Sequence, residues 1–204
     1  MLERLAYVLK HRLPVLFRFV DWSARGLTTL RFGKTIEEAL DNAQISGTVN
    51  RLPAATRALE LQDGPVLHKF FTSLPPEWLE HFRPHSFECQ RLEAVLKSRA
   101  IMNYGLMLDG DMVGYGLLKV APTGSAFIGL LVHPRYSGLG LGKFLVAFLY
   151  WQASLAGLRA RSTISLNNAA SLGCHQAVAN FRIVAHLPND YIMIEFPDIP
   201  RDKP

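Results

Sequence analysis

Three glycines at alternate positions, Gly138, Gly140 and Gly142, follow a short apolar run (Phe127 to Val132) and His133-Pro134. Lys143 comes next, and then a long apolar run that Gly157 closes. Glycines so spaced let successive backbone N–H groups turn into one small concavity with no Cβ in the way. A helix that begins at the last glycine adds unpaired N–H groups and the positive end of its dipole. The chemistry this offers is the binding of phosphate or pyrophosphate. A second set of residues stands at Asn168, Ser171 and His175, spaced i, i+3 and i+7. On a helix these fall within about 60° of one another. They form a polar stripe with one titratable group, a plausible wall for a site.

Two common phosphate loops do not fit. A Walker loop would need Gly where Ser137 stands and a hydroxyl where Phe144 stands. A dinucleotide fingerprint would need G-x-G-x-x-G and an acidic residue about twenty positions on. The spacing here is G-x-G-x-G, and no Asp or Glu lies between Lys143 and Asn189. A third pattern, V-x-P-x-x-[QR]-G-x-G-x-[GA], is met by Val132, Pro134, Gly138, Gly140 and Gly142. On these residues the chain resembles the GNAT superfamily of acyl-CoA-dependent N-acyltransferases. Ser137 departs from the pattern, which usually has Arg or Gln there.

The resemblance carries a set of expectations. It implies an α/β fold with a mixed, mostly antiparallel central sheet flanked by helices. It implies acetyl-CoA as cosubstrate, no metal, and transfer of an acetyl or other short acyl group to a primary amine of a small molecule. The loop of Ser137, Gly138, Leu139, Gly140, Leu141, Gly142 and Lys143 would hold the phosphates. The backbone of Leu130 and Val132 would meet the pantetheine, with Asn168 and Ser171 also near the cofactor. His175 would stand near the thioester sulfur and protonate it as it leaves. The Gly-Phe that often follows this helix is absent; Asn180-Phe181 stands one residue late. Many relatives place a Glu before the glycine loop as a base. This chain has no Glu between Asp111 and Glu195. Tyr104, Tyr115, His133 and Tyr191 remain as unranked proton acceptors. The missing Glu also supports a rival reading, a non-catalytic acyl-CoA-binding sensor or scaffold.

The elements that would position these residues follow from pattern. Thr56 to Leu61 alternates and reads as a strand. Asp63 to Leu74 reads as a helix, broken at Pro75-Pro76, with more helix at Glu77 to Phe82 and Phe87 to Ser98. Tyr104 to Leu108 and Met112 to Val120 form a hairpin across Asp109-Gly110-Asp111. Phe127 to Val132 is a buried strand that feeds the glycine loop and a long helix. Arg159 to Leu166 is a strand and Asn168 to about Val178 a short helix. Phe181 to His186 and Tyr191 to Phe196 close the order as a second hairpin.

Residues 54–204 are thus expected to be the acyltransferase domain, and residues 1–53 a basic N-terminal extension with helical character. The chain has 204 residues, 49% hydrophobic and 19% charged, which suits a sizeable core and excludes disorder. Its net charge is +5, and residues 1–34 alone carry seven Lys or Arg against two acidic residues. No cluster of basic and aromatic residues marks a nucleic-acid surface. Leu13 to Val20 is too short to span a membrane. The extension is read first as a helix packed on the domain or on a second subunit of a homodimer, and second as a membrane-surface helix. Pro14 argues against one continuous helix. Thr35 to Leu40 reads as a short capped helix, and Ser46 to Pro53 as a linker. Cys89 and Cys174 lie far apart, which fits a reduced, cytoplasmic protein.

Overall fold

A computed structural model describes residues 14–82 and 84–197. Its first described element is α1 (Pro14–Asp41), one helix of 28 residues. Thr35 to Leu40 is the last part of α1 rather than a separate element, and the reading of Pro14 as a break falls at the edge of the described residues. The expectation for Leu13 to Val20 falls on residues whose side chains lie outside the described part. Further along α1, Ile36 and Ala39 are buried.

The expected linker at 46–53 is instead a hairpin, β1 (Ile45–Val49) and β2 (Leu52–Ala58). Asn50 and Arg51 form its two-residue turn, with φ of 48° and 68°. Two consecutive positive φ values give the turn the twist that a tight hairpin needs. Pro53 sits in β2 just before its pairing with the third strand begins at Ala54↔Leu108, so no ladder bond is lost on that side.

The middle of the chain supplies α2 (Gly64–Thr72), a 3-10 turn at Pro76–Leu79 and α3 (Cys89–Leu96). Then come β3 (Ile101–Leu108), β4 (Asp111–Val120) and β5 (Ser125–Val132). Asp109 and Gly110 turn the β3–β4 hairpin with φ of 50° and 90°, as the Asp-Gly pair predicts. The glycine loop leads into α4 (Leu141–Leu155), which Gly157 follows at φ 66°. The last described elements are β6 (Arg159–Ser165), α5 (Ala169–Gln176), β7 (Arg182–Leu187) and β8 (Tyr191–Glu195).

The eight strands form one sheet in the order β1-β2-β3-β4-β5-β6-β8-β7. Every neighbouring pair is antiparallel except β5–β6. The fold is thus mixed α/β with a mostly antiparallel sheet, as expected. Alternation along the central strands sends side chains to two cores. Met102, Tyr104, Leu106 and Leu118 pack with α1 and with Leu145, Phe148 and Leu149 of α4. Tyr115, Leu117 and Leu131 pack with Leu67, Phe70 and Phe71 of α2, with Leu92 of α3, and with Phe82. Strand β4 approaches α4 closely at Gly116, where a Cβ would lie 3.1 Å from a Leu149 methyl.

Candidate functional site

The two strands of the parallel pair separate part-way along their length. β5 and β6 pair from Ser125↔Arg159 to Ile128↔Ser162 and no further. The rest of β5, Gly129 to Val132, keeps only its β4 neighbour. The direction of its backbone groups follows from the β4–β5 register. Val132 lies opposite Gly114, and the His133 N–H bonds the Val113 carbonyl at 2.8 Å. In an antiparallel pair that bond makes Val132↔Gly114 a non-hydrogen-bonded position. The N–H and C=O of Val132, and by alternation those of Leu130, turn away from β4 into the gap. Both residues are only half-buried although they belong to a central strand.

The glycine loop begins where β5 ends. Pro134–Tyr136 forms a 3-10 turn, and Ser137 leaves it in extended conformation. Gly138 and Gly140 follow at φ 76° and 80°, a region closed to most side chains. A Cβ on Gly138 would meet nothing within 4 Å, so the loop surface there is open to a ligand. Leu141, Gly142 and Lys143 are the first residues of α4, and their N–H groups precede its hydrogen-bond ladder. Ser137, Leu139 and Lys143 are exposed. The loop thus fits a phosphate: open backbone, a helix start and a nearby cation.

Two neighbours hold the loop in place. Cys174 of α5 packs beneath it, its Sγ 3.0 Å from where a Gly142 Cβ would lie. On the other side Asn50, at the β1–β2 turn, donates from Nδ2 to the Leu139 carbonyl at 2.8 Å. A Cβ on Gly140 would lie 3.2 Å from the same Nδ2. The sequence reading missed this contact because it treated 46–53 as a linker.

Asn168, Ser171 and His175 are linked through α5 itself. Asn168 caps the helix, its Oδ1 accepting from the Ser171 N–H at 3.0 Å. His175 Nδ1 lies 2.8 Å from the Ser171 carbonyl and donates to it. The ring is 1% exposed and stacks on Phe196 at 5.9 Å. Nε2 is buried and has no hydrogen-bond partner among the described residues. Burial pushes the imidazole pKa below its ordinary value, against the opposing pull of the Ser171 carbonyl. His175 is therefore neither on a solvated surface nor at an open edge. It is an enclosed, neutral ring with its proton on Nδ1.

The four unranked proton acceptors separate clearly. Tyr104 is fully buried and donates to Gln152 Oε1; its pKa is raised by burial. Tyr115 is fully buried, donates to Asn103 Oδ1 at 2.6 Å and meets His85 Nε2 at 3.1 Å. Its pKa is also driven up by burial. His133 Nδ1 accepts from the Arg135 N–H as a local cap. Tyr191, at the start of β8, is half-buried, and its hydroxyl lies 3.3 Å from His81 Nδ1. His81 belongs to a segment that reaches both sides of the gap. Trp78, in the 3-10 turn, donates from Nε1 to the Val132 carbonyl at 2.8 Å. Three residues later His81 meets Tyr191, which pairs with Ser165 at the end of β6. Trp78 and His81 have no motif around them that would single out either one.

A cavity of about 130 Å³ lies at the other end of the sheet, among Ile36, Glu37, Leu96, Arg99, Ile101 and Asn103. It borders the start of β3, far from the glycine loop by register.

Residues 66–181 match the model of the family described as "Acetyltransferase (GNAT) family". The GNAT domain of S. lividans PAT superposes with a TM-score of 0.67 at 13% identity, covering 76% of this chain and 97% of that one. The protein yncA from Salmonella typhimurium, solved with its cofactor acetyl-CoA, gives 0.59 at 17% identity, covering 74% and 97%. AAC(6')-Ib, solved with ribostamycin and coenzyme A, gives 0.55 at 19% identity, covering 70% and 93%. No protein of curated function matches the chain by sequence.

Proposed function

The chain belongs to the GNAT acetyltransferase family, and from that premise we propose that it transfers an acetyl or other short acyl group from acyl-CoA to a primary amine of a small molecule. One observation carries the reading. The gap between β5 and β6 turns the backbone of Leu130 and Val132 toward the same end of the sheet as the phosphate loop. A pantetheine chain carries amides, and a strand edge whose N–H and C=O groups turn outward, with only the Val132 carbonyl taken by Trp78, is their natural partner. The loop of Ser137, Gly138, Leu139, Gly140, Leu141, Gly142 and Lys143 would take the phosphates at one end of that chain. The thioester would then lie along β5, and a backbone N–H in the gap would steady the developing oxyanion.

The amine nitrogen bonds to the thioester carbon, the C–S bond breaks and the thiolate leaves. Holding the two reactants in line supplies much of the effect. On the amine side the reading assigns the proton to the Tyr191–His81 pair, in which half-buried Tyr191 meets the exposed His81 beside the gap. On the sulfur side it assigns proton donation to His175, with a constraint set by geometry. The donated proton must stand on Nε2, whereas the Ser171 carbonyl holds it on Nδ1. The ring must change tautomer or gain a second proton, and burial opposes the second. Asn168 and Ser171 would line the cofactor from the α5 N-terminus. The small-molecule acceptor is supported by the likeness to an enzyme solved with ribostamycin. Residues 54–204 are proposed as the main catalytic unit, and residues 1–53 as a segment added to it whose end, the β1–β2 hairpin, joins the same sheet. No described helix is long and apolar enough to cross a membrane.

The test is release of free CoA thiol from acetyl-CoA across a panel of small amines. Saturable turnover on any of them supports the reading. Tight CoA binding with no turnover on any amine would leave the non-catalytic sensor in its place.

A further inference from the structure

The β1–β2 turn lies outside the stretch that the family shares, which begins at residue 66. It nonetheless rests on the glycine loop. Asn50 bonds the Leu139 carbonyl at 2.8 Å, and Asn50 and Val49 would both be within 3.5 Å of a Cβ on Gly140. The next residue, about 3.8 Å further along the backbone, is Arg51. Arg51 is exposed and has no ion-pair partner among the described residues. It also holds φ at 68°, where an arginine is strained and glycine is the usual choice. A long cation is thus kept at a costly backbone position beside a loop built for anions. The same loop has Ser137 where relatives usually carry an Arg or Gln.

We propose that Arg51 is a phosphate-binding residue of the acyl-CoA site, supplying from the β1–β2 turn the positive charge that position 137 does not. Asn50 ties the turn to the loop and so fixes where Arg51 stands. The shared chemistry is a phosphate of CoA, either the pyrophosphate or the 3′-phosphate. This rests on the loop being the acyl-CoA phosphate cradle.

Arg51→Gly, Arg51→Asn and Arg51→Lys suit the test, because Gly and Asn accept positive φ and Lys keeps the charge. The readout is CoA affinity by calorimetry at low and high salt, beside the thermal midpoint of each variant. Loss of one charge-assisted contact at an exposed site is expected to weaken CoA about tenfold at low salt. The deficit should shrink as salt screens the pair, and Arg51→Lys should recover most of it. The thermal midpoint of Arg51→Gly should hold or rise, since the turn strain is relieved. Measuring 3′-dephospho-CoA beside CoA separates the two phosphates. A deficit with both ligands assigns the pyrophosphate, and a deficit with CoA alone assigns the 3′-phosphate. Arg51→Gly and Arg51→Asn binding CoA as tightly as wild type at low salt would overturn the proposal. Wild-type protein that does not bind CoA would instead overturn the acyl-CoA reading on which it rests.

Discussion

His175→Phe puts both the packing and the proposed chemistry of α5 to the test. The ring is 1% exposed, stacked on Phe196, bonded once through Nδ1 and unpartnered at Nε2. Phenylalanine loses the Nδ1 bond, worth about 0.5–1.5 kcal/mol net. The Ser171 carbonyl keeps the helix bond that its position in α5 provides. The substitution also removes a buried, unsatisfied nitrogen, worth about 1–3 kcal/mol. The slightly larger ring costs on the order of 1 kcal/mol in crowding. The sum places the variant within about 1 kcal/mol of wild type near pH 8, on the stable side. The acid limb should change more. The folded-state pKa of His175 lies below its ordinary 6.5. The unfolded chain therefore binds a proton that the folded one refuses as pH falls through that value. The stability that neutral His175 supports is whole above 6.5 and is lost progressively below it. His85 and His133, also depressed by burial, contribute losses of the same sign. The variant removes only the His175 share, so its stability should fall less than wild type between about pH 7 and about pH 5. Urea titrations at the two pH values measure this directly. A variant destabilised by more than roughly 2 kcal/mol near pH 8, or one with an unchanged acid loss, refutes the reasoning. Turnover then decides the chemistry. A kcat about 100-fold lower with unchanged acetyl-CoA affinity assigns the leaving-group proton to His175, while a wild-type rate makes it a packing residue.

Gly140→Asp should abolish CoA binding in a folded protein: φ is 80°, a Cβ would press on Asn50, and the carboxylate would repel phosphate. Calorimetry with normal affinity would contradict the loop assignment. Trp78→Phe frees the Val132 carbonyl in the gap, so CoA should bind about 2–10-fold more tightly, the worth of one net hydrogen bond. Weaker binding would mean that the indole packs on the ligand instead. Gly116→Ala pushes a methyl to 3.1 Å from Leu149 and 3.2 Å from Leu145, and should cost about 1–3 kcal/mol of stability in a denaturant titration. A variant as stable as wild type would show that α4 can move away from β4.

Local chemistry made some of this legible in the sequence. Asp109-Gly110 carries its turn type in two residues, and Gly138 and Gly140 announce a loop whose positive φ favours glycine. Asn50-Arg51 makes the same kind of turn without a glycine, and so it read as linker. Thr35 to Leu40 read as a short helix of its own, whereas α1 runs on through Gly26 and Gly33. The spacing of Asn168, Ser171 and His175 put them on one face, but a helical wheel does not say which face is inward. His175 turned out to be buried because Phe196, twenty-one residues on, packs against it. Trp78 and His81 are joined to the site across 54 and 110 residues. Contacts of that range depend on how the sheet brings its strands together, which no local pattern encodes.

The parting of β5 and β6 leaves a strand edge inside the sheet, at its middle rather than at its rim. Free edges recruit other strands, and rims are usually blunted by charge or cover. Among the described residues this inner edge has little charge, since Gly129, Leu130, Leu131 and Val132 are all apolar. It is guarded by shortness and by the indole of Trp78 on its last carbonyl. A cosubstrate lying along β5 would do the same more completely, filling the place of a missing strand. On that reading ligand-free protein would present a short unpaired strand edge that ligand-bound protein would not.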